Sequence, residues 1–145
     1  MQQYQRPALV IAVCLGTFMA SLDISIVNVA LNTLQSSLNT TMAGLQWVVD
    51  AYALCLSALI LSSGPLGDRY GRKRIWMAGI ALFTFGSAVC ALSGSLPVLL
   101  TGRVIQGIAG AAVIPGALTL LAHAFPEQKA RLRVIGIWSS VSAVS

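Results

Sequence analysis

Three ionisable side chains in this sequence stand where ions are expensive. Asp23, Asp50 and Arg103 each lie inside a long apolar run. Placing one such group at the centre of a bilayer costs roughly 2.5–3.5 kcal/mol on insertion scales, and less nearer the interface. A chain built only for packing would not keep three of them. Two carboxylates and a guanidinium form a titratable set. In a cavity of low dielectric a carboxyl holds its proton more firmly, and a nearby arginine loosens it again. Movement of the arginine, or arrival of a cationic substrate, then tips proton uptake or release. That is the physical requirement for coupling solute movement to a proton gradient. The competing role is a structural ion pair, with Asp50 reaching the interface. Gln106 follows Arg103 by three residues on the same helix face, and Asn28 lies one and a half turns beyond Asp23. Both amides are placed to complete the hydrogen bonds of the cluster, with general adhesion between helices as the alternative role.

The elements that must carry these groups are membrane-length helices. A spanning helix needs about 20 mostly apolar residues. Residues 8–31, 45–66, 75–92 and 97–124 each supply one, and 134–145 begins a fifth that is about half the needed length. A rise of ~1.5 Å per residue puts Asp23 ~12 Å, Asp50 ~8 Å and Arg103 ~9 Å from the outer ends of their spans. All three then fall in one layer of the outer half of the membrane.

The connections alternate in charge. Residues 32–46 and 93–97 carry none, while 68–74 holds four bases and one acid and 127–133 holds three bases and one acid. Short loops rich in Lys and Arg stay cytoplasmic. Arg6, the second connection and the fourth therefore face the cytoplasm. Trp47 is expected at the outer interface, with Tyr70 and Trp76 at the inner one.

Composition excludes several classes. The 145 residues are 57% hydrophobic and 9% charged, against about 25% charged in an ordinary soluble domain. So few charges cannot cover a water-soluble globule. The net charge of +5 does not indicate nucleic-acid binding, because long apolar runs separate the bases and leave no basic face. Cys14, Cys55 and Cys90 lie in apolar runs without metal-ligand spacing, which predicts small buried hydrophobes, no disulfide framework and no metal site. The first apolar run continues past Ala20-Ser21, too long for the core of a cleaved secretion signal. His123 is the only histidine and has no nucleophile–base constellation around it, so an enzyme is not expected. Small residues recur on the third and fourth spans: Gly79, Gly86, Cys90 and Gly94, then Gly107, Gly110, Ala111 and Gly116. They permit close helix approach in lipid. Pro115 removes a backbone hydrogen bond within the fourth span and predicts a kink.

The stretch GPLGDRYGRKR, Gly64 to Arg74, resembles the signature loop of the major facilitator superfamily. Gly64, Asp68, Arg69, Gly71, Lys73 and Arg74 all fit its defined positions, with Arg72 between them. LDISIVNVAL, Leu22 to Leu31, is similar to the first-span motif of that superfamily's 14-span drug:proton antiporters. It departs by Ser25 in place of Thr and Asn32 in place of Pro. WVVDAY (Trp47 to Tyr52) and RVIQGIAGA (Arg103 to Ala111) look like the same group, so the resemblance runs from Leu22 through Trp138. It implies an all-α membrane protein, the N-terminal part of a major facilitator fold, with four complete transmembrane helices and the start of a fifth.

By the same resemblance, Asp23 and Arg103 take part in proton coupling, and Asp50 is a candidate contact for a cationic drug or for the proton. The Asp68–Arg74 loop acts as a cytoplasmic latch. The implied whole is a proton-coupled multidrug efflux transporter of the inner or plasma membrane, its N-terminus cytoplasmic. Its partners are lipid, protons and a cationic or amphipathic small molecule, and it needs no cofactor. The superfamily builds each half from two three-helix repeats, so this chain is expected to lack the C-terminal half and to be inactive alone. A transporter for another small solute and a four-helix membrane subunit without transport are the alternatives. An open reading frame beyond codon 145 separates truncation from the last of these.

Overall fold

The computed structural model describes residues 2–144, and side chains from residue 6 to 144. Five helices follow one another: α1 (Gln2–Ser37), α2 (Met42–Tyr70), α3 (Arg72–Ala91), α4 (Leu96–Ala124) and α5 (Gln128–Val144). Helix is the form that satisfies every backbone group within one segment in lipid. The first four are each long and apolar enough to cross a membrane.

Most helices extend past the span ends expected from hydropathy. The 29 residues of α2 make a rod of ~44 Å, whereas the hydrocarbon layer is about 30 Å thick. Its charged last turn, Asp68 to Tyr70, therefore projects beyond the oil while remaining helical. The expected second loop contracts to one residue, Gly71. The expected fourth loop likewise shrinks, since Lys129, Arg131 and Arg133 sit on the first turns of α5.

Gly71 turns the chain with φ 98° and ψ 122°. Its N–H donates to the Gly67 carbonyl (3.0 Å) and closes α2, while its own carbonyl accepts from the Ile75 N–H (3.0 Å) and opens α3. A Cβ is strained in that conformation, at about 1–3 kcal/mol. Gly71→Ala is accordingly expected to lower the thermal midpoint of the purified protein; an unchanged midpoint would contradict this account of the corner.

Helix α4 is the hub. Twelve of its residues are buried, against four on α2 and four on α3. Small residues explain the close fit: Gly79 and Gly86 of α3 face Val113 and Gln106 of α4, while Gly107 and Gly110 of α4 face Tyr52 of α2. Helix α4 runs as one helix through Pro115. Helix α5 is pinned to α1 by Trp138, whose Nε1 donates to the buried Thr17 Oγ1 at 2.8 Å.

Trp76 faces the inside of the bundle and not its surface. It is buried against Val13, Ala117 and Leu121, because Gly16 of α1 and Gly116 of α4 leave room for its ring. Trp47 and Tyr70 are exposed, as interfacial rings should be. Outward faces carry bare hydrophobes such as Val29 and Leu61, the surface that lipid covers.

Candidate functional site

Where α4 crosses α1 and α2, one guanidinium organises the polar interior. Arg103 lies near the start of α4 and is 2% exposed. Its Nε donates to the Val48 carbonyl of α2 at 3.1 Å, using the second lone pair that a helical carbonyl keeps. Its Nη1 donates to Asp23 Oδ2 at 2.5 Å and to Gln106 Oε1 at 3.0 Å. The ring of Tyr52 packs on the guanidinium, with the central carbon 4.5 Å from the ring centre. Such stacking over an aromatic face attracts the cation by roughly 0.5–2 kcal/mol.

Gln106 completes the arrangement. It is fully buried, and its Nε2 donates to Asp23 Oδ1 and to Ser87 Oγ, both at 2.9 Å. Its Oε1 accepts from Arg103 and lies 3.5 Å from the Cys90 thiol. Both carboxylate oxygens of Asp23 are therefore held, and four helices contribute to one network. In surroundings of low dielectric such a pair is strong, and removing one partner leaves a costly buried charge. Asp23 is the more accessible member, with 18% of its side chain exposed.

The structure brings together Asp23, Arg103 and Gln106 but not the other two candidates. Asp50 makes no ion pair or side-chain hydrogen bond among the described residues. Val48 and Tyr52 point their groups toward α4, and Asp50 lies two residues from each, roughly 200° round the helix. Equal depth did not mean equal direction. Asn28 follows Asp23 by five residues, roughly 140° round α1, and does not reach the pair. It stands exposed instead at the edge of a cavity of about 290 Å³ that Tyr52 and Arg103 also line.

Tyr52 and Ser87 are polar neighbours that the sequence reading gave no role in the cluster, and Cys90, expected there only as a small buried hydrophobe that lets helices approach, joins them one turn from Ser87 on α3.

At the other end of the bundle, Arg72 donates from Nε (3.1 Å) and Nη2 (2.8 Å) to Asp68 Oδ1 across the Gly71 corner. Its Nη1 is 3.1 Å from His123 Nδ1 at the end of α4. That hydrogen bond requires the neutral ring with its proton on Nε2, since a guanidinium only donates. His123, set aside as chemically idle, thus ties α4 to the corner. Arg69 lies over the Tyr70 ring at 5.5 Å. Arg69, Lys73 and Arg74 form no ion pair among the described residues. Gly64 has open space beside its Cα.

Residues 13–145 match the family model of the Major Facilitator Superfamily. The chain is 41% identical over 139 residues to the methylenomycin A resistance protein of Bacillus subtilis, covering 95% of this chain and 30% of that protein. It is 46% identical over 134 residues to the multidrug resistance protein Stp of Mycobacterium tuberculosis, covering 92% and 25%. It is 34% identical over 140 residues to the riboflavin transporter RibZ of Clostridioides difficile, covering 97% and 30%. The chain thus spans about a quarter to a third of the length of these relatives. With its membrane-length helices packed round α4 and a family match over nearly all its residues, this chain is a multi-pass membrane protein that belongs to the Major Facilitator Superfamily.

Proposed function

We propose that this chain works within a proton-coupled exporter of amphipathic compounds, cations among them, in the cell membrane with its N-terminus cytoplasmic. The observation that carries the proposal is the Asp23–Arg103 pair, a buried arginine held by a partly accessible carboxylate. Protonating Asp23 discharges the carboxylate and loosens one of the two bonds made by Nη1, while Gln106 Oε1 still accepts from Nη1 and Nε stays anchored on Val48. The guanidinium then has a reason to turn toward the cavity, and α1 a reason to shift against α4. Substrate and proton compete for the same arrangement, which is what antiport requires. Relatives named for drug resistance support an exporter.

In this proposal a second helical half supplies the facing wall of the cavity. The corner from Gly64 to Arg74 serves as a cytoplasmic latch, its unpaired Arg69, Lys73 and Arg74 available to acidic groups or helix C-termini of that half. Asp50 is kept as a contact for cationic substrate outside the buried pair.

The test is transport by the protein encoded in the intact reading frame, reconstituted in proteoliposomes. Exchange of one proton for one monovalent cation should accumulate butyltriphenylphosphonium about tenfold per unit of pH difference, since one pH unit is worth about 1.36 kcal/mol. Dissipating the pH difference should abolish accumulation. Accumulation that persists without the gradient would refute proton coupling. A second reading, transport of another small solute, draws on the likeness to a riboflavin transporter; riboflavin displacing the phosphonium at equal concentration would favour it.

A further inference from the structure

The cavity beside the ion pair has a chemical bias that the pair alone does not explain. Arg103 commits Nε and Nη1 to Val48, Asp23 and Gln106; Nη2 takes part in none of these bonds. Tyr52 is 5% exposed, and its hydroxyl is buried without a hydrogen-bond partner. Both residues line the same cavity of about 290 Å³. A buried hydroxyl without a partner is destabilising, and native proteins rarely keep one without a use. The remaining walls offer little to satisfy it. Ser57 donates to its own helix at Ala53, Asn28 sits at the exposed edge, and the apolar side chains of α1, α2 and α4 complete the lining. No carboxylate lines the cavity among the described residues, and Asp23, the partner of Arg103, is already bound through both oxygens. The cavity wall is mostly apolar, and its one charged group among the described residues is the Arg103 guanidinium, which can only donate.

We propose that Tyr52 and Arg103 form a subsite for a hydrogen-bond acceptor, a carboxylate or carbonyl oxygen on an amphipathic substrate. The substrate oxygen accepts from Arg103 Nη2 and, once the Tyr52 ring turns away from Gly110, from its hydroxyl, and the apolar body lies against the aliphatic walls. This inference rests on the transport proposal and adds which end of a substrate enters first. It also places any cationic end away from Arg103, toward the open side of the cavity.

Two probes isolate the effect: butyltriphenylphosphonium and carboxybutyltriphenylphosphonium, which share a lipophilic cation and differ by one carboxylate. Their binding to the intact protein in nanodiscs would be compared for wild type and Tyr52→Phe. Wild type should bind the carboxylate probe more tightly than the plain one. Tyr52→Phe should weaken the carboxylate probe about tenfold and the plain probe less than twofold. Its melting temperature without ligand should be equal to or above that of wild type, because the change removes an unsatisfied buried hydroxyl. Equal weakening of both probes, no weakening of either, or a lower melting temperature without ligand would overturn the subsite. The readout is binding, so it stands apart from proton coupling. If the probe contrast holds while driven accumulation fails, the coupling proposal falls and the subsite remains.

Discussion

Asp23→Asn is expected to reduce gradient-driven accumulation of butyltriphenylphosphonium from about tenfold per pH unit to about unity. The amide has the shape of the carboxyl but does not exchange a proton as a carboxyl does. It also leaves Arg103, 2% exposed, without a counter-ion, and loss of one partner of a buried pair costs about 3–5 kcal/mol. The 18% exposure of Asp23 places the effect toward the lower end of that range. Lower stability and lost coupling are separable. Asp23→Glu keeps a titratable carboxylate near Arg103 and should recover part of the accumulation, while the thermal midpoints of both variants report the loss of the counter-ion separately from the loss of coupling. Full accumulation by Asp23→Asn, at equal amounts of reconstituted protein, would remove Asp23 from the coupling step.

The second large effect concerns packing. A Cβ at Gly107 would lie 2.7 Å from Cys55 Cβ and 2.7 Å from the Tyr52 carbonyl oxygen. The obstacle is partly backbone, so no side-chain rotation relieves it. Gly107→Val must push α2 from α4 and draw Tyr52 and Val48 away from Arg103. Overpacking of this kind costs about 1–3 kcal/mol, occasionally more. The expected result is a clearly lower thermal midpoint together with loss of substrate binding. Gly136→Ala is the matched control, because nothing lies within 4 Å of a Cβ there and helix propensity favours the alanine. Equal midpoints for the two variants would contradict close α2–α4 contact at Gly107.

The helices and the ion pair were legible in the sequence for one physical reason. Oil penalises charge and unsatisfied backbone alike, so apolar runs mark helices and interruptions such as Asp23 and Arg103 demand partners. Gln106 was legible because three residues place it beside Arg103. Asp50 and Asn28 were not, because depth along a helix says nothing about direction round it. The Val48 carbonyl carries no side-chain signature at all. Trp76 turned inward because Gly16 and Gly116, 60 and 40 residues away in sequence, leave it a slot. That complementarity arises only when the helices meet. Arg72 and His123 are 51 residues apart, and the same holds for them. The signature loop was legible in its residues, yet its form as two helix ends around Gly71 follows from helix length against membrane thickness.

Proton release on substrate binding examines the central claim most directly. The intact protein, in lightly buffered solution with a pH-sensitive dye, is mixed with butyltriphenylphosphonium over a series of pH values. Release of about one proton per protein, absent in Asp23→Asn, is the outcome expected if the carboxylate paired with Arg103 exchanges proton for substrate. Binding with no proton release, or with the same release from Asp23→Asn, would contradict it.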